Sequence, residues 1–282
     1  MNLGKINFTK MTASGNDFVI IDNFSGGVSV SDWSEFARRV CRRALSVGAD
    51  GLIIIEPSEE ADFAWKFYNS DGSLPEMCGN GGRCAARFAY LNGLAGPKLI
   101  FKTLAGIIEA EMVNSRLVKI KLMPAQGLER DISLDLAGST LQLDVINTGV
   151  PHAVLFVPDL EGCDLVGLGR QIRCHARFKP QGTNANFVQV VDKSTLKIRT
   201  YERGVEGETL ACGTGATAAA LVAANRNLVV SPVCVQTRGG GQLTVYFENR
   251  GPEFGAVHLE GETRLVYEGV LNQEALYPPS PG

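Results

Sequence analysis

Two cysteine segments of the chain carry nearly the same residues and are the strongest candidates for chemistry. Cys78 opens the stretch Cys-Gly-Asn-Gly-Gly, Cys212 opens Cys-Gly-Thr-Gly-Ala, and a helix rich in small residues is predicted after each. A cysteine immediately before a helix meets unpaired backbone N–H groups and the positive end of the helix dipole. This position lowers the pKa of a thiol from about 8.5 and stabilises the thiolate. One such segment is a weak signal, but two matched segments predict a pair of functional thiols.

A thiolate and a thiol can together invert a carbon centre that carries a hydrogen. One sulfur removes the Cα proton of an amino acid, the other delivers a proton to the opposite face, and the roles exchange in the reverse direction. The two helix starts can also hold a carboxylate through backbone N–H groups, and their glycines allow close approach. Such positive potential would stabilise a carbanion without a cofactor as electron sink. The pair Cys78 and Cys212 therefore predicts Cα proton transfer that needs no cofactor.

The two halves of the chain are predicted to be diverged copies of one α/β unit. In each half, two polar residues precede the cysteine at matched distances. These distances are 62 and nine residues in the first half, and 60 and ten residues in the second. The residues are Asn16 and Asn69 before Cys78, and His152 and Glu202 before Cys212. The simplest interpretation is a cleft between the copies, to which each half contributes one cysteine.

Hydrophobic patterning predicts the elements that carry these residues. The expected strands lie within residues 6–22, 52–55, 62–68, 99–122, 141–147, 186–191, 196–201 and 233–267. A first helix is expected to start after the capping residue Asp32, to include Ala44 and to stop at Gly48. Further helices are expected at about 78–91, 165–173 and 212–224. Residues 124–127 are predicted to link the halves.

Composition restricts the class of protein. The 282 residues carry 27 basic and 30 acidic side chains without a basic arm, so nucleic acid is not an expected partner. We find no apolar segment of signal-peptide length at the start and no apolar run of about 20 residues. The expectation is a cytoplasmic protein without a membrane partner. An odd count of seven cysteines argues against a secreted disulfide framework, and Cys41, Cys163, Cys174 and Cys234 are expected to be small hydrophobic residues.

Other functions of the cysteine segments fit less well. The stretch after Cys212 resembles part of a dinucleotide fingerprint, but it lacks the third glycine and a clear downstream acidic residue. Cys78 and Cys84 are spaced neither as Cys-x-x-Cys nor as zinc ligands. The three histidines are scattered. No metal site is therefore predicted.

Ordered blocks that span nearly the whole chain resemble the diaminopimelate epimerase family. The two longest contain the cysteines: Asn69-Ser-Asp-Gly-Ser with Glu-Met-Cys78-Gly-Asn-Gly-Gly-Arg-Cys84, and Tyr201-Glu-Arg-Gly with Gly-Glu-Thr-Leu-Ala-Cys212-Gly-Thr-Gly-Ala. The shorter blocks are Ser14-Gly-Asn-Asp-Phe18, Gly48-Ala-Asp50, Gly149-Val-Pro-His152 and Gly182-Thr-Asn-Ala-Asn-Phe187. Together these blocks are highly specific.

The resemblance implies an activity and a fold. The implied reaction interconverts LL- and meso-2,6-diaminoheptanedioate, a small diamino diacid precursor of lysine and peptidoglycan, without pyridoxal phosphate, with Cys78 and Cys212 as the acid–base pair. The implied fold is α+β: two pseudo-symmetric lobes, each a mixed curled sheet around a central helix, with the active-site cleft between them. Residues 1–124, completed by 269–282, would form the first lobe, and 125–268 the second. A homodimer is left open.

The resemblance also implies roles for individual residues. Backbone N–H groups at Gly79, Asn80, Gly213 and Thr214 would hold the reacting carboxylate. The distal end of the substrate would meet Asn16, Asn69, Asn184 and Arg203, with Glu202 nearby; His152 and Glu202 match positions that tune the cysteine protons. The chain departs from the family pattern at three positions, Val150, Gly51 and an apparent one-residue insertion at Glu206.

Two alternatives stay open within this family likeness. A related racemase could act on proline or hydroxyproline, although a polar set for the distal end favours a substrate charged at both ends. A non-enzymatic, redox-responsive protein could form a regulatory disulfide between Cys78 and Cys212. For the epimerase we expect the lobes to close on substrate, because a reactive thiolate must be desolvated.

Overall fold

The computed structural model describes residues 5–136, 138–250 and 253–277 of the chain. The chain divides into two compact units: unit 1 is 1–120 with 262–282, and unit 2 is 121–261. The lobe boundaries expected at 124/125 and 268/269 stay predictions, and the predicted lobes include residues outside the described ranges. Within those ranges no helix combines the length and apolarity needed to cross a bilayer.

Unit 1 is built from strands β1 to β7 and helices α1 and α2. The strands are β1 (Ile6–Ala13), β2 (Asn16–Asp22), β3 (Gly51–Glu56), β4 (Phe63–Asn69), β5 (Lys98–Thr103), β6 (Gly106–Met112) and β7 (Leu117–Lys121). The helices are α1 (Trp33–Val40) and α2 (Gly79–Leu91), with a short 3₁₀ turn at Gln273–Leu276. The long strand β16 (Glu253–Leu271) runs from unit 2 into unit 1, to which its residues 262–271 belong.

The sheet of unit 1 is mixed and curls until it closes. β2 pairs with β3 and β4 with β5 in parallel, whereas β1–β2, β3–β4, β5–β6 and β6–β7 are antiparallel. β1 also pairs antiparallel with β16, from Ile6 opposite Leu271 to Ala13 opposite Thr263. The amide of Thr263 then donates to the carbonyl of Arg116, beside β7. Helix α2 lies inside this curl and contacts β1, β2, β3, β4 and β6.

Strand β3 carries a continuous run of apolar residues because both of its faces are covered by helices. Leu52 and Ile54 pack on the outer helix α1, together with Phe36 of that helix. On the other face, Ile53 lies close to Gly81 of α2. Because successive side chains of a strand point to opposite faces, a sheet covered by helices on both faces needs apolar residues at every position.

Unit 2 is built from strands β8 to β15, the first part of β16, and helices α3 and α4. The strands are β8 (Gln126–Leu136), β9 (Ser139–Asn147), β10 (Pro151–Phe156), β11 (Asn184–Asp192), β12 (Thr195–Glu202), β13 (Gly207–Thr209), β14 (Val233–Gln236) and β15 (Gln242–Arg250). The helices are α3 (Leu165–Cys174) and α4 (Gly213–Asn225), with a 3₁₀ turn at Ala176–Phe178. The path through the sheet is β8-β9-β10-β11-β12-β14-β15-β16, and β13 pairs with β12.

The two units repeat one plan. The order β1-β2-α1-β3-β4-α2-β5-β6-β7 corresponds to β9-β10-α3-β11-β12-α4-β14-β15-β16. The parallel pairs β2–β3 and β4–β5 correspond to β10–β11 and β12–β14. Helix α4 is buried at every residue from Gly215 to Ala224, as a central helix must be. The predicted α+β fold of two pseudo-symmetric units, each a mixed curled sheet around a central helix, is thereby confirmed.

Two local predictions were wrong. Helix α1 starts where predicted, with the Asp32 side chain accepting from the amide of Glu35, but it ends at Val40 instead of including Ala44. Ala44 has φ of 64°, which a right-handed helix cannot accommodate. The expected linker at 124–127 is shorter, because β8 already starts at Gln126 and pairs there with Asn147.

Candidate active site

Cys78 is the N-cap of α2, as its position in the sequence predicted. Its backbone is extended, with φ of −139° and ψ of 114°, and its Sγ accepts a 3.4 Å hydrogen bond from the amide of Gly81. The amide of Gly82 bonds to the Cys78 carbonyl at 2.8 Å and starts the helical ladder. The amides of Gly79 and Asn80 precede that first helical bond, so they are available to a ligand. This end of α2 therefore offers a sulfur and two N–H groups side by side.

Asn16 and Asn80, far apart in sequence, lie side by side in unit 1. The Asn80 Nδ2 donates to Asn16 Oδ1 at 2.7 Å, and the Asn16 Nδ2 donates to Asp50 Oδ2 at 2.9 Å. Asp50 also forms a 2.8 Å ion pair with the exposed Arg43. Two predicted substrate-binding residues thus belong to one hydrogen-bonded chain that starts beside Cys78.

Asn69 ends strand β4, opposite Gly51 of β3. Its Nδ2 donates to the Ser73 hydroxyl at 2.9 Å, and the structure records no side-chain bond from it to Asn16 or Asn80. A Cβ at Gly51 would lie 2.5 Å from the ring of Phe67 and 2.9 Å from the Tyr68 carbonyl. Packing therefore favours glycine at position 51, because a larger residue would displace the Phe67 ring.

Cys212 is the N-cap of α4 in unit 2, with φ of −124° and ψ of 113°. Its Sγ lies 3.4 Å from the Thr214 hydroxyl, and the Thr214 carbonyl accepts a 3.0 Å hydrogen bond from Thr148. The side chain is 7% exposed. The amides of Thr214 and Gly215 face the sulfur, although neither completes a cap hydrogen bond like that at Cys78.

The protonation of Cys212 differs from the expectation for a helix start. Burial raises its pKa to about 12, and the negative charge of Glu202 adds to this rise. The Thr214 hydroxyl and the helix amides oppose it without cancelling it. In this structure Cys212 is therefore a neutral thiol, because the desolvation of a thiolate outweighs the helix dipole.

His152 lies in β10 directly beside Asn184 of the parallel strand β11. Its ring is 1% exposed, and Nδ1 lies 3.0 Å from the side-chain nitrogen of Asn186. Burial lowers the pKa of His152 to about 3, and the nearby positive charge of Arg203 lowers it further. The ring is thus held neutral at physiological pH.

Asn184 and Arg203 of unit 2 are joined by a hydrogen bond. The Asn184 Oδ1 accepts from the backbone amide of Arg203 at 2.8 Å, and the Arg203 Nη1 donates to the Gln181 carbonyl at 3.2 Å. The apparent insertion, Glu206, has φ of 56° and pairs with Arg173 of α3 at 2.9 Å. This ion pair ties the loop that follows Arg203 to the outer helix.

Glu202 ends β12 ten residues before Cys212, as Asn69 ends β4 in unit 1. Burial raises the pKa of its carboxyl group. The Thr209 hydroxyl opposes this rise, although it does not complete a full hydrogen bond.

Val150 is half-buried and directly precedes the Pro151–His152 pair. Its carbonyl accepts a 3.2 Å hydrogen bond from the amide of Thr148.

Three residues that sequence reasoning did not single out support these side chains. Asn186 contacts His152, Asp50 contacts Asn16, and Arg83 donates to Asn80 at 2.6 Å. Asn186 could have been found as a polar residue two positions after Asn184, among the apolar residues at the start of β11, and therefore on the same face as Asn184.

The described residues contain no group of three or more His, Cys, Asp or Glu side chains that could hold a metal ion. Cys84 lies one and a half turns into α2 and is fully buried, which raises its pKa to about 12. Its surroundings are those of a structural thiol.

Known proteins resemble this chain in fold and in sequence. A hydroxyproline epimerase from Agrobacterium vitis has a similar structure, with a TM-score of 0.70 and 15% identity over 96% of this chain and 93% of that chain. A diaminopimelate epimerase of Aquifex aeolicus is 50% identical over 95% of this chain and 99% of its own length. A diaminopimelate epimerase of a Hydrogenobaculum species is 44% identical over 94% of this chain and 98% of its own length. The family model for diaminopimelate epimerase matches residues 8–126 and 145–266. With the two cysteine helix starts in their expected places, these matches show that the chain belongs to the diaminopimelate epimerase family.

Proposed function

We propose that this enzyme interconverts LL- and meso-2,6-diaminoheptanedioate by moving one Cα proton between Cys78 and Cys212, without pyridoxal phosphate. The reaction would serve the synthesis of lysine and of peptidoglycan precursors. The observation that carries the proposal is the occurrence of two cysteines, one in each unit, as N-caps of the two central helices.

In the proposed reaction, the sulfur of one cysteine acts as a thiolate and takes the Cα proton. The electron pair left on Cα spreads onto the substrate carboxylate, where the N–H groups of Gly79, Asn80, Gly213 and Thr214 stabilise the added negative charge. The other cysteine, a thiol, gives its proton to the opposite face of Cα and becomes the thiolate. Inversion therefore requires the two sulfurs to approach one carbon from opposite sides.

The different surroundings of the two sulfurs support a division of roles. Cys212 is buried and its pKa is raised to about 12, which favours the thiol that donates a proton. Cys78 is half-buried and its Sγ already accepts an amide hydrogen, which favours a thiolate that removes one. In the reverse direction the two roles are exchanged. We propose that His152 and Glu202 tune these protons.

The side chains of Arg203, Asn16 and Asn69 support a substrate with a charged distal end. Arg203 carries a guanidinium whose fork suits a second carboxylate, and Asn184 orients the backbone of that residue. Asn16 and Asn69 can offer donors and acceptors to an ammonium or a carboxylate. Such a set suits a diamino diacid better than proline or hydroxyproline, each of which has a single carboxylate.

The proposal is tested by following Cα hydrogen exchange into LL-2,6-diaminoheptanedioate in deuterated water without added cofactor. We expect rapid exchange by the wild type and loss of nearly all turnover in Cys78→Ser and in Cys212→Ser. Cys174→Ser, at an exposed cysteine on α3, is the matched control and should keep full activity. Full activity in either of the first two variants would rule out the two-thiol reaction.

A substrate panel separates the related racemases. Turnover of proline or hydroxyproline with none of the diamino diacid would reassign the substrate. A redox-responsive binding protein is distinguished by thiol titration: it would show a Cys78–Cys212 disulfide on mild oxidation but no exchange at Cα in the reduced state.

A further inference from the structure

Arg83, in the second turn of α2, is completely buried although it carries a charge. Its Nη2 donates to Asn80 Oδ1 at 2.6 Å and to the Ser14 hydroxyl at 2.9 Å. Its Nε and Nη1 have no hydrogen-bond partner in the described part of the chain. The described groups whose negative charge would favour its cationic form are the sulfurs of Cys84 and Cys78, not carboxylates. Burial lowers its pKa to about 10, still far above neutrality, so the side chain is a cation.

A buried cation that no carboxylate neutralises is destabilising, and such a group calls for a functional explanation. The explanation lies in what Arg83 does to the side chains that it contacts. A guanidinium can only donate hydrogen bonds, so the group facing it must be an acceptor. Asn80 is therefore forced to turn its Oδ1 toward Arg83 and its Nδ2 away from it.

The same constraint passes to Asn16. The Asn80 Nδ2 needs an acceptor, so Asn16 presents Oδ1 to it at 2.7 Å and directs its own Nδ2 elsewhere. At the far end, that Nδ2 meets the Asp50 carboxylate at 2.9 Å, and a carboxylate can only accept. A cation at one end and an anion at the other thus demand the same orientation of both amides. If the amides were reversed, donors would face Arg83 and acceptors would face Asp50.

We propose that Arg83 is a positioning residue of this enzyme, which fixes the orientation of the Asn80 and Asn16 amides so that both meet the substrate already oriented. The proposal rests on the proposed function, in which the side chain of Asn16 and the backbone N–H of Asn80 contact the substrate. Each amide keeps one N–H and one oxygen lone pair beyond those used in the chain. Their directions are set before substrate arrives, which avoids the entropy cost of ordering them on binding.

Arg87 is a second, partly buried arginine of the same helix and provides the comparison. It lies one turn further along α2 and donates to the Thr263 carbonyl at 2.7 Å, with no contact to an asparagine. Arg83→Gln and Arg87→Gln therefore form a matched pair. A glutamine at either position has one amide that can offer either a donor or an acceptor.

We expect Arg83→Gln to raise KM for the diamino diacid about 10-fold, the value of a hydrogen bond to a charged group. Arg83→Lys should restore most of the affinity, because an ammonium is also a donor-only cation. Arg87→Gln should leave KM unchanged at a temperature where all variants are folded. Asp50→Asn, at the half-exposed end of the chain, removes the acceptor-only group and should raise KM in the same direction.

A readout without substrate keeps this test separate from the proposed function. The side-chain amide signals of Asn16 and Asn80 in ¹H–¹⁵N spectra should move in Arg83→Gln and in Asp50→Asn but not in Arg87→Gln. If the wild type does not exchange the diamino diacid, the proposed function fails and these signals alone decide the role of Arg83. A lower Tm with unchanged KM and unmoved amide signals would overturn the proposal. Should Arg83→Gln not fold, the same result in Asp50→Asn would overturn it.

Discussion

The side-chain amide of Asn186 lies 3.0 Å from Nδ1 of His152, in the interior of unit 2. The same nitrogen donates to the Ala153 carbonyl at 3.0 Å, while the Asn186 oxygen accepts from the Thr200 hydroxyl at 3.0 Å. Because a carbonyl only accepts, the NH₂ group of Asn186 faces His152, and Nδ1 must be the acceptor. His152 is therefore the neutral tautomer with its proton on Nε2.

This arrangement predicts that the protein loses stability in weak acid. The pKa of His152 falls from the ordinary 6.5 to about 3 on folding, so between these values the unfolded chain binds a proton that the folded chain excludes. The free energy of unfolding then rises with pH in this window, and falls as the pH drops, by up to about 1.4 kcal/mol per pH unit. Urea unfolding at a series of pH values gives the free energy of unfolding as a function of pH. This free energy should change less steeply with pH in His152→Gln than in the wild type. A slope equal to that of the wild type would contradict the assignment.

Asn186→Asp tests the same contact from the other side. A carboxylate beside Nδ1 stabilises the imidazolium and the Nδ1–H tautomer, so the pKa of His152 should rise. We expect the ring signals of His152 to titrate in the variant within a pH range where those of the wild type stay constant. Ring signals that stay constant in both proteins would show that Asn186 does not control the ring.

The close packing around Gly215 predicts that a larger residue at this position lowers both stability and activity. A Cβ at Gly215 would lie 2.5 Å from Asn186 Oδ1 and 3.3 Å from the Sγ of Cys212. Gly215→Ala must displace one of them, and overpacking of this kind costs about 1–3 kcal/mol. We therefore expect a lower Tm and a lower kcat. Gly207→Ala is the control, because a Cβ there would meet no atom within 4 Å. Equal Tm and kcat in the two variants would show that the contact is unimportant.

The sequence predicted most of the fold because its signals are local. The glycine-rich segments after Cys78 and Cys212 mark helix starts by themselves, and the run from Leu52 to Ile55 marks a strand buried on both faces. The similar spacing of polar residues in the two halves reflects equivalent positions in the strands of the two units, such as the ends of β4 and β12 at Asn69 and Glu202. The end of α1 was not predictable from periodicity, because Ala44 continues the apolar pattern while its backbone turns left-handed.

The electrostatics of the site could not be predicted in the same way, because they depend on contacts between distant segments. The raised pKa of Cys212 results from its burial in unit 2 and from the charge of Glu202, whereas the sequence shows only its helix start. The chain from Arg83 through Asn80 and Asn16 joins residues that are 67 positions apart. An asparagine in a turn motif gives no indication of which end of its amide will be fixed by a neighbour.

The charge of Glu202 should control the reactivity of Cys212. That charge helps to raise the pKa of the thiol, so Glu202→Gln should lower the pKa and increase the thiolate fraction. We expect alkylation of Cys212 by iodoacetamide at pH 9, followed by mass spectrometry, to be several-fold faster in this variant. Glu208→Gln is the control, because Glu208 pairs with Arg199 at 2.7 Å. Equal rates in both variants would contradict a charge effect.

Arg203 should select for a substrate with a second carboxylate. Its backbone is fixed by Asn184 and its Nη1 by Gln181, and the described contacts use one of the five guanidinium donors. Since two hydrogen bonds to a carboxylate would be lost, Arg203→Ala should lower kcat/KM for the diamino diacid about 100-fold. Arg203→Lys should lower it about 10-fold, because an ammonium keeps the charge without the fork. Arg170→Ala, at an exposed arginine of α3, should leave kcat/KM unchanged. A value for Arg203→Ala close to that of Arg170→Ala would exclude Arg203 from substrate binding and require another cation for the distal carboxylate.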